Sequence, residues 1–460
     1  MSKKLTIHFA LGARTVTGSN FLISSNNRKI LVDCGLLQGE KMADEINAED
    51  FPYNPGEVDA LFVTHAHMDH VGRIPKLVRD GFKGPIYSTN ATKDLAALML
   101  DDALHLLTHE AEREQTEPLY ELADVKHTMA MWHGFEYHKP IHIDKDTEEE
   151  IQVILRDAGH VLGSSMIEIT YNGKKVVFTG DLGNSPAPIL RDTEVLSDID
   201  YLIMESVYGD RNHESHAERD EKLRRIITES VERGGTLIIP AFSLERTQDL
   251  LFEINTMVEK KLIPRVPIYL DSPLAIKITE VYKKYEYLFN HDTQSIIKSG
   301  DDIFKFPGLI MTPETEESKA INYTQGPKIV MAGSGMMNGG RIIHHARNYL
   351  GDEKNTILLV GYQAIGTPGR FIDEGASQVS LFGVTVPIKA KVEKIFGYSA
   401  HKDSDHLAQM VENIASSVKH VYVVLGEPKA SFFLAQKISD HYGVQVSVPE
   451  KGESVELDMG

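Results

Sequence analysis

Thr64-His65-Ala66-His67-Met68-Asp69-His70 sets three imidazoles and one carboxylate within six positions. The apolar run Ala60-Leu61-Phe62-Val63 precedes it and Val71-Gly72-Arg73-Ile74-Pro75-Lys76-Leu77 follows, so the string falls where a strand gives way to a turn and a helix. His65 and His67, two apart on extended chain, project into one site, while Asp69 and His70 open the next turn and face a second ion. A two-metal site is the simplest reading, and it needs further ligands. The sequence offers them at other strand ends: Asp157-Ala158-Gly159-His160 after Ile151 to Arg156, and Thr179-Gly180-Asp181 after Lys174 to Phe178. Taken singly, a Thr-Gly-Asp is more often a turn and a lone histidine more often not a ligand. With the histidine string they become ligand candidates, and Asp181 becomes a carboxylate able to bridge two cations.

Working outward, short β-branched runs dominate the first two hundred residues, interrupted by two helical stretches, Ala91 to Arg113 and Pro118 to Met131. From about Ser206 the texture changes to alternating strands and helices, with helices expected over Ala217 to Arg233 and Leu244 to Lys260, which predicts a parallel sheet. After about Phe371 the β-rich texture resumes and ends in a helix over Lys429 to Tyr442 and a last strand. The expected organisation is a β-rich domain over residues 1–205 and 371–460, with an α/β domain inserted at 206–370.

The composition is that of a globular chain: 42% hydrophobic and 25% charged over 460 residues. With 48 basic and 67 acidic side chains the net charge is −19, which speaks against a basic coat for non-specific phosphate binding. The segment 206–370 carries 21 basic and 22 acidic residues, so a polyanion is expected to meet this nearly neutral part. Cys34 is the one cysteine, which excludes an intramolecular disulfide and fits a reducing, cytoplasmic setting. No apolar run approaches a membrane span, and Met1 to Leu11 reads as a first strand rather than a leader. Gly333-Ser334-Gly335 follows a strand and Gly339-Gly340-Arg341 opens a helix, a place where backbone N–H groups and Arg341 favour a phosphate. His105 and His109, four apart on a helix, lack a third partner and read as a surface face, and Cys34 reads as packing.

These motifs, in this order, resemble the metallo-β-lactamase superfamily and its β-CASP branch of nucleases, as in bacterial and archaeal relatives of the RNA 3′-end cleavage endonuclease. The resemblance runs over nearly the whole chain: Gly12 to Ser19, Leu31-Val32-Asp33-Cys34-Gly35, the histidine string, His160, Asp181, Met204-Glu205-Ser206, the Gly-rich run, His401 in Phe396 to His401, and Val424 to Ala430. It implies an α/β fold, an αββα sandwich with an inserted parallel-sheet β-CASP domain. It also implies two zinc ions per chain, one held by His65, His67, His160 and Asp181, the other by Asp69, His70, Asp181 and His401. Asp33 would orient a ligand, and Glu205 would tune the proton state of His401. The family's middle polar motif position falls at Phe371, which neither ligates nor transfers protons. The implied activity is hydrolysis of phosphodiester bonds in single-stranded RNA by a metal-activated hydroxide, with internal cleavage favoured and 5′ to 3′ exonuclease action left open. Asp69, Asp181, Glu205 and His401 are the expected catalytic group. A DNA nuclease of the same branch and a non-nuclease metallo-hydrolase are the alternatives, and a homodimer is the assembly left open.

Overall fold

Alternation along single strands shows how the layers form. In Tyr201–Glu205, Tyr201 and Ile203 face one apolar cluster while Leu202 and Met204 face another, and all five residues are buried. A strand covered on both faces reads as a continuous apolar run, which is why the sequence here looks like Tyr-Leu-Ile-Met. The computed structural model describes residues 4–25, 27–39, 42–143, 150–361, 363–364, 366–395 and 397–460. Met1 to Lys3 of the expected first strand, and Phe396 of the run ending at His401, lie outside the described residues. The chain forms two compact units, Met1–Asn212 with His401–Gly460, and His213–Ala400.

The first unit holds two seven-stranded sheets. One runs, in spatial order, Ser454–Asp458, Lys4–Leu11, Asn20–Ser24, Lys29–Val32, Ala60–Phe62, Ile86–Thr89 and Trp132–Phe135. The other runs Val446–Ser447, His420–Val424, Tyr201–Glu205, Lys174–Phe178, Ser165–Tyr171, Ile151–Asp157 and Ile141–Ile143. Ile7, Phe9, Phe21 and Phe62 from the first meet Val153, Leu155, Ile167 and Phe178 from the second in one shared core. Each such side chain contributes roughly 1.5–3 kcal/mol by leaving water. Helices Ser404–Glu412 and Pro428–Tyr442 cover the outer face of the second sheet through Leu407, Val411, Leu434 and Ile438. Helix Asn90–Glu114 packs against the outer strands of the first. The result is the expected αββα sandwich, and the expected helices recur with shifted ends, the second shortened to Leu122–Ala130.

In the second unit six parallel strands lie in the order Leu309–Met311, Ile268–Leu270, Lys328–Ala332, Thr236–Pro240, Thr356–Val360 and Lys391–Ile395. The last of these departs from the expected boundary at 370/371. Lys391–Ile395 pairs in parallel with Thr356–Val360, so the insertion runs to Ala400 and the chain returns to the first unit at His401. β-Branched texture identifies a strand but not the sheet it joins; pairing decides that. Helix Pro273–Lys284 is not among the expected elements, although Ser272 caps it through Ala275 N–H and proline follows as its first residue. Among the described residues no helix is long and apolar enough to cross a membrane.

Candidate active site

The site forms where strands of the first unit end. Strand Ala60–Phe62 runs into Thr64 and His65, and helix Met68–Val71 starts with His67 at its N-terminal boundary. The turn is fixed by Asp33, at the end of strand Lys29–Val32 in a left-handed conformation, φ 58°. Its carboxylate accepts the Thr64 N–H at 2.8 Å, the Thr64 hydroxyl, and the Ser19 hydroxyl at 2.9 Å. It also faces His70 Nδ1 at 2.7 Å. A proton held between those two atoms leaves His70 Nε2 with its lone pair toward the cluster. Thr64 Oγ1 also sits 3.0 Å from His65 Nδ1, orienting a second ring in the same way. Thr64 and Ser19 stand inside the quoted motifs but are not among the expected site residues; the signal for Thr64 is a hydroxyl next to a ligand candidate.

Around Asp181 the donor atoms converge. His65 Nε2 lies 3.1 Å from His67 Nδ1, His160 Nε2 lies 3.3 Å from His67 Nδ1, and both Nε2 atoms lie 3.4–3.5 Å from Asp181 Oδ2. A tetrahedral ion with bonds near 2.1 Å has donor-to-donor edges of about 3.4 Å, so these four atoms fit a zinc-sized cation. On the other side Asp181 Oδ1 lies 3.4 Å from His70 Nε2, which lies 3.9 Å from Asp69 Oδ2. Asp181 Oδ1 and His70 Nε2 are both buried without a hydrogen-bond partner. Buried polar atoms are seldom left so, and a cation satisfies both. The two donor sets, His65-His67-His160-Asp181 and Asp69-His70-Asp181, share Asp181.

His401 stands beside Glu205, as the resemblance implied, but not in the expected second donor set. Its Nδ1 lies 3.1 Å from Glu205 Oε1 and 4.0 Å from Asp181 Oδ2, and its ring packs on His160 at 4.6 Å. It groups with Glu205 and Asp181, not with Asp69 and His70, so its nearest partner is the fully buried Glu205 rather than the second donor set. Glu205 ends its strand and is held by the Leu182 N–H at 2.6 Å and the Val207 N–H at 3.2 Å.

The electrostatics follow the grouping. Burial, then neighbouring histidines, hold His67 and His160 well below the usual imidazole range, so both rings are neutral and able to ligate. Burial also works against the charged form of His70 and His401, but Asp181 and Asp33 drive His70 well above its ordinary value. Glu205 and Asp181 likewise raise His401 to about 9. Asp181, despite burial, is held well below the carboxylate range by His70 and His401.

Other expected site residues have partners or surroundings of their own. Arg341 spends its guanidinium inside the second unit: Nη1 donates to Asp271 Oδ1 at 2.7 Å and to the Thr312 carbonyl, and Nη2 to the Pro313 carbonyl. Asp271 is fully buried and also bonded by His345, Thr312 and Ser318, so Arg341 anchors that carboxylate instead of standing ready for a phosphate. In the Gly-rich turn the Gly333 carbonyl accepts the Ile342 N–H, the Ser334 N–H donates to the Gly339 carbonyl, and the Gly335 carbonyl accepts Gln363 Nε2. Phe371 is half exposed on helix Pro368–Asp373. His105 and His109 join no group of three metal-capable side chains among the described residues. Burial pushes the Cys34 thiol up to about 12, in keeping with packing.

Residues 13–240 match the metallo-β-lactamase superfamily, residues 247–372 the Beta-Casp domain, and residues 385–449 the Zn-dependent metallo-hydrolase RNA specificity domain. Ribonuclease TTHA0252 of Thermus thermophilus is 35% identical over 96% of this chain and 98% of its own. The chain belongs to the metallo-β-lactamase superfamily, in its β-CASP branch. The RNase J-like protein of Methanocaldococcus jannaschii is 32% identical over 97% of this chain and 98% of its own. Transcription termination factor FttA of Methanosarcina mazei is 31% identical over 97% of this chain and 70% of its own. A crystal structure of an Enterococcus faecalis protein of unknown function shares the fold, with a TM-score of 0.58 at 14% identity over 99% of this chain and 100% of that one. Membership in this superfamily implies divalent metal ions, and the donor sets around Asp181 have the chemistry to hold them.

Proposed function

We propose that this β-CASP protein is a zinc-dependent ribonuclease that hydrolyses phosphodiester bonds of single-stranded RNA, cutting internally, in the cytoplasm. The observation that carries the reading is Asp181, whose two carboxylate oxygens face two donor sets, the first of them at tetrahedral spacing. His65, His67, His160 and Asp181 would hold one ion, and Asp69, His70 and Asp181 the second. Bound there, two zinc ions supply neutralisation of phosphate charge and a water acidic enough to attack at neutral pH. The names of the ribonuclease relatives support RNA as substrate, and so does the match to an RNA specificity domain.

The chain's own residues divide the remaining work. Asp33 and Thr64 hold His70 and His65 in the tautomers that present Nε2 to the cluster. Glu205 holds His401 at Nδ1, which leaves Nε2 as the atom that passes a proton to the departing ribose oxygen. Gly333, Ser334 and Gly335 are proposed to meet a backbone phosphate through the turn they form, with no part taken by Arg341.

The test is cleavage of one internally labelled single-stranded RNA and the DNA of the same sequence by the zinc-loaded protein, with products read at nucleotide resolution. Internal RNA fragments ending in 3′-hydroxyl and 5′-phosphate are expected. Cleavage of the DNA alone would overturn the substrate, and mononucleotides released only from the 5′ end would overturn the internal mode.

A further inference from the structure

Three loops of the first unit are stacked on one another beside the metal-capable cluster. Gly183 N–H donates to the Ala158 carbonyl at 2.9 Å, joining the loop of Asp181 to that of His160. A Cβ at Gly183 would come within 1.9 Å of the Gly159 carbonyl oxygen, so only glycine permits this approach. The segment of His401 then pairs with the loop of Asp181 by an isolated bridge between Gly183 and His401, and Lys402 N–H donates to the Leu182 carbonyl at 2.9 Å.

Lys402, directly after His401, is 5% exposed. Its Nζ donates to the Gly183 carbonyl at 2.7 Å and to Ser185 Oγ at 3.0 Å. Burying an ammonium is costly, and an apolar side chain of the same length would fill the space without that cost. The charge is therefore kept for what it holds. We infer that Lys402 is a positioning residue: it clamps the His401 segment to the loop that carries Asp181, fixing the His401 ring against Glu205 at the distance proton transfer requires.

The inference rests on the proton role proposed for His401, and three variants separate the two. Lys402→Met should lower kcat for RNA roughly 10- to 100-fold, the usual cost of a small misplacement at a reacting centre. KM should stay within about twofold and metal content should match the parent, because the cluster's donors are untouched. Lys402→Arg, which restores a donor to the Gly183 carbonyl, should recover most of the loss. In a His401→Ala background, Lys402→Met should cost nothing further, since the group it positions is gone. Loss of turnover in His401→Ala with none in Lys402→Met overturns the inference alone, as does an undiminished Lys402 effect without His401. Full turnover in His401→Ala overturns the proton role and the step Lys402 serves. Should Lys402→Met fail to fold, Ser185→Ala removes one acceptor and should lower kcat roughly threefold at constant KM, the worth of one modest hydrogen bond. An unchanged kcat there also counts against the inference.

Discussion

Asp181 is the residue on which the site turns, because its two oxygens lie on opposite sides of one carboxylate: Oδ2 faces His65 and His160, and Oδ1 faces His70. Asp181→Asn should therefore release both ions and abolish cleavage, whereas His160→Ala should weaken one ion and leave the other; metal analysis of the two variants separates them. His401→Ala should lower turnover about 100-fold or more, the scale of a lost general acid, with both metal equivalents retained. Loss of one equivalent would restore His401 to the second donor set. Asp33→Asn, which spoils the acceptor for His70, should weaken metal binding about 10- to 100-fold without touching a donor atom. The convergence of His65, His67, Asp69, His70, His160 and Asp181 was legible in the sequence because four of these side chains share one strand-end string and the other two follow strand ends of their own. Glu205 as the neighbour of His401, 196 positions away, followed only from the resemblance, and the separation of His401 from Asp69 and His70 was not legible, since residue type alone does not say which carboxylate an imidazole will meet.

At the level of elements, strand ends explain the site: Asp33, Thr64, Asp181 and Glu205 each stand at or just after the carboxyl end of a strand, where the chain must turn and a short polar side chain can face inward. Periodicity made those strands readable. It could not tell that Lys391–Ile395 belongs to the inserted sheet, nor that Arg341 would be consumed by Asp271, since both depend on contacts between distant segments. The Asp271 network carries its own prediction. Burial alone would raise this carboxyl, but His345, Ser318, Arg341 and Thr312 outweigh it and hold it at about 2, below its ordinary 3.8. A depressed acid stabilises the folded state above its unfolded value and loses that contribution as pH falls, here between about 3.8 and 2. Arg341→Gln removes one donor, so the acid limb of the thermal stability curve should move to higher pH. At pH 7 the second unit should lose about 2 kcal/mol, less than a fully buried broken pair because three donors stay in place. A variant with parental stability and a raised KM for RNA would instead return Arg341 to the phosphate.

Over the whole molecule, charge is divided unevenly. The inserted unit, residues 213–400, carries 23 basic and 24 acidic side chains, which leaves −18 on the sandwich that builds the metal-capable cluster. An anionic unit that handles a polyanion depends on its bound cations. RNA affinity should therefore be modest and should fall sharply when metal is removed. Its dependence on log salt should be shallow, about −0.7 for each phosphate contacted on a single strand, as a salt titration of a labelled RNA would show. The most direct test of the central claim, that two cations sharing Asp181 cut RNA, is to add zinc stepwise to the stripped protein and follow cleavage against bound equivalents. Almost no cleavage is expected through the first equivalent, with a rise to a plateau at the second. Full activity at one equivalent, or cleavage that survives stripping, would rule out two cations sharing Asp181.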